Sequence, residues 1–190
     1  YAKKTFTVVS GSTFSYLVGS GGLGVNDSNG TNGSGSWFSS STFVYAAFGI
    51  SGSVLTNTDG VGGSGGLSSN SIGDVVYSGG KGGNSNSQGT KRGGGGGAAA
   101  GSGSNGATGS NATNTSIGIG GIGVEGGGSG GDGSGTASGL SGSIPGGGGG
   151  GGSNTKGGNT YKGGDGASGQ IKITYTVVST LNTLKFVTWV

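Results

Sequence analysis

Hydrophobic positions are sparse, and they alternate with polar ones only towards the two ends of the chain. Thr5-Phe6-Thr7-Val8 alternates, Ser10-Gly11-Ser12 supplies a turn, and Phe14, Tyr16 and Val18 alternate with Thr13, Ser15 and Leu17. A period of two marks a half-buried strand. Residues 5–18 therefore predict a β-hairpin with Phe14, Tyr16 and Val18 on one face. Residues 19–36 carry Gly-Gly, Asn29-Gly30 and Asn32-Gly33 and predict a loop. Trp37 to Phe48 is the most aromatic stretch, and Phe43 and Tyr45 share a face if it is a strand. A short strand is predicted over Ile72–Tyr77. Gln170 to Val177 alternates without fault and predicts the clearest strand of the chain. A Ser/Thr/Asn spacer, Ser179–Thr183, leads to a last strand, Leu184–Val190, with Phe186 and Trp189. No segment repeats apolar residues at 3.6 over ten or more positions, so no α-helix is predicted.

Between these ends the pattern vanishes. About 40 of the 56 glycines lie in residues 79–169, which hold no aromatic residue between Tyr77 and Tyr161, and pure runs stand at Gly93–Gly97 and Gly146–Gly152. Three readings compete: a disordered linker, a collagen triple helix, and a bundle of extended left-handed three-residue helices. Collagen needs glycine at every third position with abundant proline, and Pro145 is the one proline. Disorder goes with high net charge and low hydrophobicity. This stretch is poor in charge and carries Ile117, Ile119, Ile122, Val124, Leu140 and Ile144, which a linker does not need. Polyproline-type helices have no internal hydrogen bonds. Glycine lets their backbones approach until each N–H and C=O pairs with a neighbouring helix, which meets the demand that buried backbone groups be paired. The expected fold is all-β and irregular: strands at both ends flank a bundle of polyglycine or polyproline II-type helices, without α-helix. The expected organisation is an N-terminal strand region with an aromatic cluster (1–78), the glycine-rich bundle (79–169) and C-terminal strands (170–190), within one compact domain.

Composition narrows the function. Apolar residues make up 28% of the chain, against roughly 45–50% in ordinary domains on a count that includes glycine. A large conventional core is excluded, so stability must come from backbone pairing, small aromatic clusters or neighbours in an assembly. Nine basic and six acidic residues leave a net charge of +3. No basic cluster exceeds the pairs Lys3–Lys4 and Lys91–Arg92, which argues against a nucleic-acid partner. No run of about 18 apolar residues exists to span a membrane. The chain starts at Tyr1 and has no methionine, as a processed terminus or a fragment would.

Chemistry-bearing residues are few. Histidine and cysteine are absent, which removes triads, thiol nucleophiles and most transition-metal sites. The acids Asp27, Asp59, Asp74, Glu125, Asp132 and Asp165 stand singly, and no nucleophile–base constellation can be named. No enzyme activity, cofactor or metal is expected. Gly127-Gly128-Ser129-Gly130-Gly131-Asp132 matches the start of a calcium-binding nonapeptide, but no tandem copy follows. Gly101-Ser102-Gly103-Ser104-Asn105-Gly106 has dinucleotide-fingerprint spacing without the strand and helix that give it meaning. Asn26, Asn29, Asn32, Asn111 and Asn114 stand in Asn-X-Ser/Thr sequons that mark polar loops. Trp37 and Phe38, in a turn-rich setting, are candidate receptor contacts, because aromatic anchors hold partners. Phe14, Tyr16, Phe43, Tyr45 and Phe48 are instead the expected small core. Phe6 and Val8 at one end, with Leu184, Phe186 and Trp189 at the other, are candidates for strands shared between subunits, or for strands that pair within one chain.

Several stretches carry a family resemblance. Thr13-Phe14-Ser15-Tyr16-Leu17-Val18-Gly19-Ser20-Gly21-Gly22 is similar to the opening of the glycine-rich domain of bacteriophage tail fibres, tail-tip adhesins and some bacterial surface proteins. Ser41-Thr42-Phe43, Gly73 to Gly83, Gly93–Gly97 followed by Ala98-Ala99-Ala100-Gly101, and Gly163 to Tyr175 resemble its later anchors. The likeness covers about residues 5–176. Ala46-Ala47-Phe48-Gly49-Ile50 is less glycine-rich than the family pattern, and the chain runs on past the closing strand. The resemblance implies a rigid glycine-helix sandwich on an extracellular fibre, with loops that touch a receptor. Three functions follow as expectations. The first is an extracellular fibre subunit that partners itself or other fibre subunits through its terminal strands. The second is a phage adhesin that binds a bacterial surface glycan or protein. The third, ice binding, lacks a regular Thr array.

Overall fold

The computed structural model describes residues 1–54, 59–153, 160–178 and 183–189, excluding the side chains of 177, 178, 183–187 and 189. Seven strands are present: β1 (Ala2–Val9), β2 (Tyr16–Leu17), β3 (Ser36–Phe38), β4 (Val44–Ala46), β5 (Val75–Val76), β6 (Lys172–Val178) and β7 (Thr183–Trp189). One 3-10 turn spans Ser68–Asn70, and the described residues contain no α-helix. The strands form a four-stranded sheet in the order β5-β1-β7-β6 and a three-stranded sheet in the order β2-β3-β4.

The two ends of the chain are thus stitched together. β7 runs antiparallel to β1, with Phe6 opposite Phe186 and Val8 opposite Leu184. On its other edge it pairs with β6, with Tyr175 opposite Phe186. The hairpin expected over residues 5–18 does not form. The turn is there, with Gly11 at φ 86° and the Ser12 N–H donating to Val9 O. Beyond it the chain leaves for the other sheet, where Tyr16 pairs with Phe38. Seven registered pairs to β7 outbid the short return strand, which pairs over two residues. Most of the spacer Ser179–Thr183 lies outside the described residues.

The apolar core sits between the sheets. Ala2, Phe38 and Val44 are buried, with Phe6, Phe43, Ala46, Val76 and Ile171 packed on them. Phe6 meets the edge of Phe43 at 5.0 Å between centroids, and Phe14 stacks on Phe38 at 5.3 Å. Phe43 joins the core as expected, whereas Phe14 is 37%, Tyr16 64% and Phe48 40% exposed. The Tyr45 ring lies over Gly35, where any Cβ would overlap it.

Outside the strands, the described segments within residues 19–34, 47–54, 60–66, 79–153 and 161–169 pair laterally, with a period of three where they run side by side. Gly93, Gly96 and Ala99 donate N–H bonds to Ser134, Gly131 and Gly128, so one side advances by three residues as the other retreats by three. Gly95 and Ala98 donate to Ser110 and Ala107, and the carbonyls of Gly93 and Gly96 accept from Gly118 and Gly121. Gly83 and Gly80 donate to Gly95 and Ala98, while Gly151 and Gly148 donate to Gly94 and Gly97. Residues 93–98 are therefore shared among five neighbouring segments, and all six are buried. This crowding is why the run is pure glycine followed by alanine. A Cβ on Gly93, Gly94, Gly95, Gly96 or Gly97 would overlap the carbonyl oxygen of Gly151, Gly83, Ile119, Gly148 or Gly80, respectively. The hydrogen standing in its place points at that oxygen, a weak Cα–H···O contact that adds to the N–H bonds.

Eight such segments close a ring in the order 93–98, 79–85, 60–66, 47–54, 29–34, 19–24, 163–169 and 147–151. The linking bonds run Gly83 to Gly95, Gly82 to Gly63, Ile50 to Ser64, Gly33 to Gly49, Ser34 to Ser20, Gly166 to Gly22, Gly164 to Gly150 and Gly151 to Gly94. Segments 106–112, 118–124, 128–134 and 139–143 pack outside this ring, along its side from 79–85 through 93–98 and 147–151 to 163–169. The lateral pairing starts at residue 19, inside the region read from sequence as loop and aromatic cluster.

Candidate functional site

The sheet edges are the exposed, chemically unspent parts of the strand region. Along β1, alternation buries Ala2 and Val8 and exposes Thr5, Thr7 and Val9. Its outer edge is largely closed. β5 covers Ala2 and Lys3. The Thr5 N–H then donates to Asp74 Oδ2 at 2.9 Å, and Val9 O is taken by Ser12. Asp74 also meets Lys4 Nζ at 3.5 Å. The Thr5 amide first, and then the Lys4 charge, hold its carboxyl below the usual range. A charge at a sheet edge hinders pairing with a further strand. Lys4 in turn lies 5.1 Å from the Phe43 ring centre.

β6 is different. Its inner edge is used by β7, and no strand covers its outer edge among the described residues. Ile173 and Tyr175 on it are 45% and 61% exposed. Beside that edge lies a groove of about 430 Å3 lined by Tyr16, Val18, Gly169, Gln170, Ile171 and Ile173. The groove is apolar, open, and runs between the outer edges of the two sheets, since β2 is the last strand of its own sheet.

The residues singled out from sequence divide accordingly. Phe38 is 4% exposed and holds the core together, so it offers no surface to a receptor. Trp37, opposite both Leu17 and Tyr45 in the β2-β3-β4 sheet, is half-buried. Val8 is buried and Phe6 is part of the aromatic cluster. The backbone of Leu184, Phe186 and Trp189 is flanked on both sides by strands of the same chain. β7 therefore presents no open edge, and the available one belongs to β6, which sequence reasoning placed correctly but did not single out. Its signal was the unbroken alternation of Gln170–Val177, which puts Ile171, Ile173, Tyr175 and Val177 on one face.

A second arrangement was also missed. At a series of outer amides with no backbone acceptor beside them, a short polar side chain supplies one. Asn32 Oδ1 accepts from Ser51 N–H at 2.8 Å and Asn29 Oδ1 from Val54 N–H at 2.8 Å. Asn84 accepts from Gly62, Asn111 from Asn84, Ser129 from Gly123, and Asp132 from Gly120. Asp165 accepts from Gly24 N–H and is bridged by Lys162. That amide, and then the cation, hold it below the usual carboxylate range. The Ser87 hydroxyl and amide do the same for Asp59. Asn29, Asn32 and Asn111 are thus lattice members rather than loop markers. Asp132, the acid of the nonapeptide match, is committed to a glycine amide. No cluster of three metal-ligating side chains occurs among the described residues. No helix among them is long and apolar enough to cross a membrane.

A backbone lattice of period-three glycine segments, capped by strands, is the class of architecture these observations define. The family model of the glycine-rich domain matches residues 1–176, and the chain belongs to that family. No curated protein and no solved structure matches the chain.

Proposed function

We propose that this chain is a non-enzymatic, extracellular structural protein: a fibre subunit whose glycine segments are left-handed polyglycine II-type helices, joined to its neighbours by strand addition. The three-residue advance of the lateral bonds supports that helix type, because such a helix turns once every three residues and bonds only to its neighbours. Stiffness follows from the lattice, since no segment can bend without breaking bonds to several others. The observation that carries the joint is the open β6 edge with the apolar groove beside it. A strand from the next subunit laid along β6 gains main-chain bonds from the edge and places alternate side chains in the groove. Asp74 keeps the same event from occurring at β1.

Negative-stain electron microscopy of concentrated protein tests the joint. Filaments are expected for the natural sequence and none for Ile173→Lys, which puts a charge into edge and groove alike. Ile173 is 45% exposed, so the substitution shifts subunit stability by only about 0.5 kcal/mol. Discrete particles from the natural sequence at any concentration would overturn the reading.

A second reading is a phage or bacterial-surface adhesin. The exposed rings of Tyr16 and Tyr175 favour it, because amphipathic aromatic faces suit glycan contact. A glycan array read with the isolated protein decides between them. Binding lost on Tyr16→Ala or Tyr175→Ala supports the adhesin.

A further inference from the structure

The ring of eight segments is hollow. It surrounds a partly open space of about 780 Å3, lined by all eight ring segments and by none of residues 103–124. No backbone hydrogen bond crosses it among the described residues. Gly33, Gly49, Gly79, Gly82, Gly148 and Gly163 are part of the wall. A Cβ built on Gly49 would meet only Ser64 O at 3.5 Å and Gly65 Cα at 4.0 Å. On Gly163 it would meet only Gly150 O at 3.4 Å and Gly24 Cα at 4.0 Å. These contacts lie with ring neighbours, so no described residue lies within 4 Å of these positions on the side facing across the ring.

The wall also carries unspent donors. In residues 93–99 the N–H groups of 93, 96 and 99 face one outer segment, and those of 95 and 98 face another. The third direction of a three-residue period belongs to Gly94 and Gly97. Both are buried, both are part of the wall, and neither N–H donates to any group among the described residues. Buried backbone donors are almost always paired. These two are spaced as the carbonyls of another three-residue segment would be.

Size fits the same occupant. At a rise of ~3.1 Å per residue and a lateral spacing of ~4.8 Å, a six-residue segment in hexagonal packing fills roughly 370 Å3. The space therefore holds about two. The count agrees with packing geometry, in which six rods surround one and eight surround two.

We propose that the ring is a binding channel for an extended, glycine-rich polypeptide segment, which accepts hydrogen bonds from Gly94 and Gly97 and completes the lattice from within. The occupant must be rich in glycine because two such segments side by side fill the space and leave little room for side chains. The inference rests on the observed hydrogen bonds and not on the fibre reading, and it is tested on dilute, unassembled protein.

The probe is a synthetic hexapeptide, Gly-Gly-Ser-Gly-Gly-Ser, titrated into isotopically labelled protein. Saturable shifts of the Gly94 and Gly97 amide resonances are expected, with hydrogen exchange at both slowed at least tenfold. Gly163→Val and Gly49→Val extend a side chain into the space without displacing backbone. Each should keep the remaining amide spectrum and weaken peptide binding at least tenfold. If the peptide leaves exchange at Gly94 and Gly97 unchanged, the channel holds water only and the proposal fails. It fails equally if both filled variants bind the peptide as the natural sequence does.

Discussion

Two glycine-to-alanine substitutions of identical chemistry are expected to change stability in opposite directions. At Gly95 the added methyl overlaps Ile119 O. Segment 118–124 has to move away, and the bonds from Gly118 to Gly93 and from Gly121 to Gly96 go with it. Each is worth about 1 kcal/mol net, and leaving a buried carbonyl unpaired adds about 1–3 kcal/mol. The sum is a loss of about 3–5 kcal/mol. At Gly49 the methyl makes only ordinary van der Waals contact, with Ser64 O at 3.5 Å and Gly65 Cα at 4.0 Å, and φ lies outside the left-handed region. What remains there is the entropy that alanine removes from the unfolded chain, a gain of about 0.4–1 kcal/mol. For a chain of this length each kcal/mol shifts Tm by about 2–4 °C. Gly95→Ala should melt at least about 6 °C below the natural protein, and Gly49→Ala about 1–4 °C above it. Thermal and urea unfolding followed by circular dichroism read both. A Gly95→Ala protein within about 1 kcal/mol of the natural one would refute the claim that close backbone approach, rather than flexibility, is what glycine provides in residues 93–97.

Three further outcomes follow from the same geometry. Phe38→Ala removes the ring between Phe6 and Phe14 in the buried cluster and should cost about 3–5 kcal/mol in urea unfolding. A loss below about 1 kcal/mol would mean that the glycine lattice holds without the sheets. Asp59, Asp74 and Asp165 all have carboxyls held below their ordinary range in the folded state. Their contribution is complete above the unfolded value near ~3.9 and is lost as pH falls through the lower folded values. The urea midpoint should be level from pH 5 to 7 and fall below pH ~4. The fall should be shallower in an Asp74→Asn, Asp165→Asn double variant, and an unchanged slope would remove these two acids from the account. Asp165→Ala should also speed hydrogen exchange at Gly24, whose amide it accepts at 2.8 Å.

The terminal strands were legible because alternation is a local signal. Gln170–Val177 and Leu184–Val190 correspond to β6 and β7 within two residues at each boundary. Their pairing was legible only as one of two alternatives, strands shared between subunits or strands paired within one chain, and the structure pairs β1 with β7 in the same chain; nothing local near Thr5–Val9 decides between the two. The glycine bundle was legible as a demand for lateral pairing, though not in its extent. Residues 19–36 read as turns because Asn-Gly is a turn signal. A three-residue period uses the same residues for another purpose, glycine where neighbours press and asparagine where an acceptor is missing. The isoleucines counted against a linker follow the same period. Ile119 and Ile122, three apart, are 53% and 73% exposed. They occupy the one side of segment 118–124 that meets no neighbour, so they report a free face of the lattice rather than a core.

That rule makes the polar residues of the outer segments predictable, and Asn32 tests it. Its Oδ1 is the acceptor for Ser51 N–H, and Asn29 does the same for Val54 one period away. If the side chain serves as a substitute carbonyl, what matters is an oxygen at that reach, not polarity or turn preference. Asn32→Asp keeps the oxygen and should be nearly neutral. Asn32→Leu keeps the size and loses the oxygen, so it should cost the same ~1 kcal/mol as Asn32→Ala. Hydrogen exchange at Ser51 should quicken in the leucine and alanine variants and hold in the aspartate one. If Asn32 were a turn residue alone, Ser51 would exchange at one rate in all three. The substitute-acceptor rule would then fail at Asn29, Asn84 and Asn111 as well, because the same geometry is all that supports it there.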